Sequence, residues 1–192
     1  GYASYQANAW LAVDGIIGWL DRPTLSRATG WYGERAPEPG VVYPNDPGVG
    51  VRPPSYVHGE IAVTADTRDR PGYPSRGGVY RAAMARYADK DLDAFGFRQY
   101  QLEAVQFLSV VPHRLTLALH GWTVFTDTAA GQDVPFYMMP SLGGGNTLRG
   151  DRNYRWHDRH LLLVNVESRV GVYEHMDVAL FVDAGNVAPR FD

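Results

Sequence analysis

Residues 139–151 read Met-Pro-Ser-Leu-Gly-Gly-Gly-Asn-Thr-Leu-Arg-Gly-Asp, and residues 178–187 read Val-Ala-Leu-Phe-Val-Asp-Ala-Gly-Asn-Val. Three consecutive glycines, Gly143, Gly144 and Gly145, do not suit a strand interior, so the backbone there turns or packs against something close. Arg149 follows, set between Leu148 and Gly150. Asp183 stands in an otherwise apolar strand, where a carboxylate needs a partner. A loop arginine is a natural one.

Outward from these two stretches the chain alternates. Ala3, Tyr5 and Ala7 oppose Ser4, Gln6 and Asn8; Ile61, Val63 and Ala65 oppose Glu60, Ala62 and Thr64. Tyr80, Ala82 and Met84 share one face of the next strand. Tyr100, Leu102 and Ala104 oppose Gln99, Gln101 and Glu103, and Leu115, Leu117 and Leu119 oppose Thr116, Ala118 and His120. Period two over this many segments predicts an all-β antiparallel chain of about seven strands. Strand one spans residues 2–13, with a continuation over 14–20 after a turn at Asp14-Gly15. The turns at Asp66, Pro112 and Glu174 are short, whereas the acidic tip at Lys90 and the segment from about Phe125 to His160 lie at the opposite end. Such an alternation of short and long connections suits an up-and-down barrel. Residues 21–56 are rich in proline and glycine, carry scattered charges and have no period, so they read as one long loop. A second loop, 129–157, holds the glycines and Arg149.

Composition narrows the classes. The 192 residues are 45% hydrophobic and 12% aromatic, with 21 glycines and 13 prolines, which describes a folded, turn-rich chain. Twelve tyrosines and five tryptophans suit a membrane-interface belt. A net charge of −3 with both signs dispersed argues against nucleic-acid binding. With no cysteine, disulfides and cysteine metal sites are excluded. No run reaches the ~18 apolar residues of a membrane helix, but barrel strands need only ~10 alternating ones. No signal peptide begins at Gly1.

Pro-Ser-Leu-Gly-Gly, then Thr-Leu-Arg-Gly, then a strand with Glu167-Ser168-Arg169, then Leu-Phe-Val-Asp-Ala-Gly-Asn-Val resembles the bacterial surface antigen family. These are the outer-membrane barrels of assembly factors (BamA- and TamA-like) and of two-partner-secretion transporters. Asp66-Thr67-Arg68-Asp69, with Pro71, Pro74 and Gly77 and a strand on each side, adds a second signature. The resemblance spans about residues 57 to 188. It implies an antiparallel up-and-down transmembrane β-barrel, of which this chain holds part, since the family barrel has sixteen strands. Further strands would then come from elsewhere in the protein or from another copy, because an open edge in lipid is untenable.

The resemblance also implies a site. The arginine of the family's loop folds into the lumen and meets acidic residues on the two following strands; the matching positions here are Arg149, with Gly150 beside it, and Glu167 and Asp183. A guanidinium offers a planar fork that two carboxylates can share, and the pairing would pin a long loop in a barrel that otherwise has no packed core. Both acids fall on the polar register, and a charge on the lipid face costs about 2–4 kcal/mol at mid-membrane. Family members usually carry an aromatic after the Arg-Gly; this chain has Asp151.

By the same resemblance the chain inserts or translocates outer-membrane proteins without covalent chemistry, pairing substrate strands with a barrel edge. Its partners would be outer-membrane lipid, unfolded outer-membrane or secreted proteins, periplasmic repeat domains and accessory lipoproteins. Its place would be the bacterial outer membrane, or the outer envelope of an organelle of bacterial origin. A two-partner secretion pore, a barrel anchoring a patatin-like lipase, and a soluble β-sandwich binding module stay open as alternatives.

Other motifs read as structural. Asp66 to Asp69 suits an Asx-type turn with local ion pairing. His157 and His160 lack further ligands for a metal, and Arg149-Gly150-Asp151 spells an adhesion tripeptide by coincidence. No Lys-Ser/Thr follows the glycines and no Gly-x-Ser-x-Gly occurs, so neither a phosphate loop nor a catalytic serine is expected. No enzyme activity, cofactor or metal is expected.

Overall fold

A computed structural model of the chain describes residues 1–21, 54–173 and 176–190. Eight strands form one antiparallel sheet: β1 (Tyr2–Asn8), β2 (Leu11–Asp21), β3 (Ser55–Asp66), β4 (Gly77–Asp89), β5 (Phe97–Val111), β6 (Leu115–Thr128), β9 (His160–Tyr173) and β10 (Met176–Ala188). Neighbours in sequence are neighbours in the sheet, so β6 pairs directly with β9. Between those two strands, β7 (Ser141–Leu142) and β8 (Trp156–His157) make a small separate ribbon. The sheet does not close, and β1 and β10 form its two edges. The loop expected over 21–56 falls mostly on 22–53, outside the described residues, as does the turn at Glu174-His175.

The expected first strand is in fact two. The chain turns at Ala9-Trp10, where Trp10 N donates to Asn8 Oδ1 at 2.9 Å. Asp14-Gly15 lies inside β2, with Gly15 opposite Ala3 on one side and Ile61 on the other. A two-residue loop alone would flip the parity of the alternation, but the bulge between Gln6 and Asn8 restores it, with Gln6 opposite Ala12 and Tyr5 opposite Val13, so periodicity alone cannot separate this hairpin from one long strand.

Register assigns each side chain to a face. One face carries Ile17 and Trp19 on β2, Ile61 and Val63 on β3, Leu102 on β5, Val164 on β9 and Leu180 and Val182 on β10. These are exposed, Leu180 and Val182 to 70% and Ile17 to 65%. An apolar surface continuous over eight strands far exceeds what a water-facing domain presents. Among the described side chains its charges are Arg86, Arg98 and Asp127, which pair across β4, β5 and β6 at the long-loop end. We call this the outer face.

The inner face is of two kinds. Near the long loops it is apolar and covered. Leu142 and Leu148 of the 129–159 segment pack on Val124, Leu161, Leu163 and Val187, while Val134, Met138 and Met139 pack with Tyr56 and Phe97. Tyr87 and Phe97 stack at 4.6 Å between ring centroids. The loop itself thus supplies one wall of two apolar clusters. Further toward the short turns the inner face turns polar, with Glu60, Arg81, Glu103, His120, Asn165 and Glu167.

Two turns hold the ends of the strands. Asp89 accepts backbone N–H bonds from Asp91, Leu92, Ala94 and Phe95, which orders the β4–β5 tip. At the opposite end the β3–β4 turn reaches far: Tyr73 donates its hydroxyl proton to Asp177 at the foot of β10. Those strands stand four or more sheet positions apart, roughly 19 Å along a sheet with 4.8 Å spacing. The sheet curls around its inner face to allow that contact.

Candidate functional site

The 129–159 segment leaves β6 and re-enters the sheet at β9, crossing the inner face on the way. A short 3-10 turn, Phe136–Met138, and the β7–β8 ribbon give it shape. Gly143 and Gly144 turn with φ of +117° and +96°. A Cβ on Gly143 would sit 2.1 Å from Arg152 O, and one on Gly144 would sit 2.0 Å from Asn153 Oδ1. Only glycine fits both positions. Gly145 and Gly150, by contrast, face open space. The turn is tied by Gly143 N to Thr147 Oγ1 at 2.9 Å and by Gly144 N to Leu148 O and Asp151 O at 3.2 and 3.1 Å.

This turn delivers Arg149 to the inner face between β9 and β10. Its Nε donates to Asp183 Oδ2 at 2.9 Å, its Nη2 to Asp183 Oδ1 at 2.6 Å, and its Nη1 to Glu167 Oε2 at 2.5 Å. Its backbone N also donates to Asp183 Oδ2, at 3.0 Å. The guanidinium lies 3.5 Å above the centroid of the Phe181 ring. Glu167 takes a second cation, Arg169 Nε, at 2.7 Å. Side-chain exposures of 23%, 19% and 8% for Arg149, Glu167 and Asp183 mean that these charges have left most of their water for one another. Charge-assisted, forked bonds of this kind are the strong class of hydrogen bond.

A second cluster adjoins it that the motifs do not announce. Asn165 Nδ2 donates to both Thr147 O and Asp183 Oδ1 at 2.8 Å. Its Oδ1 meets His120 Nδ1 at 2.8 Å, and His120 Nε2 meets Glu103 Oε1 at 3.1 Å. The two clusters line a recess of about 230 Å³ together with Gly145, Asn146 and Phe107. Glu103, His120 and Asn165 share the polar parity of β5, β6 and β9, which is the one sequence signal that groups them.

The Asp66 turn lies elsewhere, at the short-turn end. Arg68 donates to Asp66 from its backbone N at 3.1 Å, from Nε at 2.9 Å and from Nη2 at 2.6 Å, and also to Pro71 O at 3.3 Å. Asp69 accepts from Ser75 Oγ and from the backbone N of Ser75, Arg76 and Arg70. The Ser75 hydroxyl and then these amides hold the Asp69 carboxyl well below the usual aspartate range. Pro74 is buried, and Gly77 has φ of +78° with Thr67 O only 2.0 Å from where a Cβ would stand.

Asp151 pairs with Arg155 at 3.1 Å and accepts from Trp156 Nε1 at 3.4 Å. His157 belongs to β8, whereas His160 Nδ1 accepts from Thr126 N at 3.3 Å. Among the described residues no group of three or more His, Asp or Glu is arranged to hold a metal.

No protein-family model matches the chain, and no curated protein matches it in sequence. Among solved structures it is similar to the crystal structure of BamA from Haemophilus ducreyi lacking POTRA domains 1-3, with a TM-score of 0.73 over 96% of this chain. The identity is 15%, so the likeness bears on the fold, which is that of a BamA-like barrel. The chain spans 40% of the length of that structure.

Proposed function

We propose that this chain forms part of an outer-membrane β-barrel of the protein assembly and translocation superfamily, acting on outer-membrane or secreted proteins without covalent chemistry. The observation that carries the reading is the outer face. Residues 100–110 of β5, eleven positions, bear no outward charge, which matches the ~9–11 residues of a tilted membrane strand. Tyr100 and Phe125 pair at one end of that band, just inside the Arg98 and Asp127 level, as aromatic residues do at a lipid–water boundary.

In this reading the inner face is the lumen, and the Arg149 loop is a fastened plug that holds the barrel's shape. The unpaired edges of β1 and β10 need partners in lipid, supplied by further strands of the same protein or of another chain. A barrel edge that opens could pair with substrate strands. Lipid, unfolded protein substrates, periplasmic repeat domains and accessory lipoproteins are the partners this predicts.

The test is to fractionate cells and follow the full-length protein by heat-modifiable migration in gels. Outer-membrane residence with a folded, heat-labile band is expected; recovery in the soluble fraction without detergent would overturn the proposal. Depletion then separates the roles. Accumulation of unfolded outer-membrane proteins marks an assembly factor, and loss of one secreted protein alone marks a secretion pore. Neither defect would mark an anchor.

A further inference from the structure

We infer that His120 is held as an imidazolium and is a second positioning residue for the arginine loop, acting through Asn165. The donors and acceptors around the ring require this whether or not the sheet lies in a membrane. Thr147 O is a carbonyl and Asp183 Oδ1 a carboxylate oxygen, so both can only accept. Asn165 must therefore present its NH₂ to them, as its 2.8 Å contacts show. Its oxygen is left facing His120 Nδ1. On the other side of the ring, Nε2 faces a carboxylate oxygen of Glu103. Both ring nitrogens thus meet acceptors, and only the doubly protonated ring donates at both. A neutral ring would set one lone pair against another oxygen, whichever tautomer it chose.

The proton belongs on the ring rather than on Glu103, since imidazole is the more basic by about two pKa units. The surrounding charges agree. Outward from His120 through contacts and cross-strand pairs come the carboxylates Glu103, Glu60, Asp183 and Glu167, and the guanidiniums Arg81, Arg149 and Arg169. The imidazolium brings cations and anions on that path to equal number.

Position follows from charge. Asn165 bridges the ring to Thr147, two residues before Arg149, and to the carboxylate that Arg149 grips. Orienting this amide therefore orients both the loop backbone and Asp183. When His120 loses its proton, one of its two bonds goes, so the ring gives up either its anchor on Glu103 or its hold on Asn165. The loop then keeps Arg149 and the packing of Leu142 and Leu148 but loses the braced line from Glu103 to Thr147. His120 is thereby a pH-dependent fastener, engaged when protonated.

The test uses the full-length protein in lipid nanodiscs with ¹⁵N-labelled histidine. The expected result at pH 7.5 is an imidazolium for His120, with two near-equal ring-nitrogen shifts. In parallel, protease cleavage within 143–155 should rise severalfold between pH 7 and pH 9. His120→Ala should show the high cleavage at both pH values, and His120→Arg, permanently charged, the low cleavage at both. A single neutral tautomer at pH 7.5 in the folded wild type would overturn the inference, even if the variants failed to fold. So would wild-type protection and pH profile in His120→Ala. The heat-modifiable band, read on the same samples, reports the barrel separately.

Discussion

Arg149 holds Asp183 at three points, two from the guanidinium at 2.9 and 2.6 Å and one from its own backbone N at 3.0 Å. Glu167 takes the remaining guanidinium nitrogen at 2.5 Å. Removing the arginine strands a carboxylate whose side chain is 8% exposed. Breaking a pair of this kind from one side costs about 3 kcal/mol. Arg149→Ala should therefore lower thermal stability of the folded band by that order, and Arg149→Lys should recover little of it, since an ammonium cannot fork. Arg152→Ala, at an exposed position, should stay within about 0.5 kcal/mol. Equal losses for Arg149→Ala and Arg152→Ala would remove the clamp from the account.

Phe181 lies under the same guanidinium but makes no bond to the acids. Phe181→Leu keeps an apolar side chain and deletes the ring face. Its expected cost is about 0.5–1 kcal/mol, because the ring is 50% exposed. Denaturation in detergent should rank it well below Arg149→Ala.

Adjacent positions on β5 test which face meets lipid. Leu102 points outward and is 56% exposed, whereas Gln101 is on the inner face. Leu102→Arg should cost about 2–4 kcal/mol in membrane assembly, read as lost heat-modifiable protein. Gln101→Arg should assemble close to wild type. The opposite ranking would mean that the faces are inverted.

The β3–β4 turn carries a pH dependence of definite sign. Asp69 is held below its ordinary value of 3.8, first by the Ser75 hydroxyl and then by backbone amides. Its contribution is fully present above that ordinary value and is lost as pH falls through the lower folded one. Hydrogen exchange at Ser75 and Arg76 should be flat from pH 7 to pH 5, after correction for intrinsic rates, and protection should fall below about pH 4. Asp69→Asn should show low protection throughout. A wild type whose protection falls only on the alkaline side would contradict the assignment.

The alternation of Tyr100, Leu102 and Ala104 against Gln99, Gln101 and Glu103 carries the strands and the sorting of their side chains onto two faces, because side chains in a strand alternate with period two whatever surrounds them; the short turns at Asp66 and Pro112 add the antiparallel order. Parity is also why the Ala9-Trp10 hairpin escapes that reading: the bulge between Gln6 and Asn8 cancels the shift that a two-residue turn introduces, and the alternation runs on unbroken. Arg149, Glu167 and Asp183 are nameable from short motifs, which mark positions but carry no distances. That Arg149 lies across Asp183, Glu167 and Phe181 at once depends on how the 143–149 turn is folded and on the offset between β9 and β10. His120, Glu103 and Asn165 lie 17 and 45 residues apart along the chain, with no motif joining them. Only the register of β5, β6 and β9 brings them into one hydrogen-bonded line. The period of a strand is local chemistry, whereas which residues stand opposite one another is decided by how strands align across the sheet.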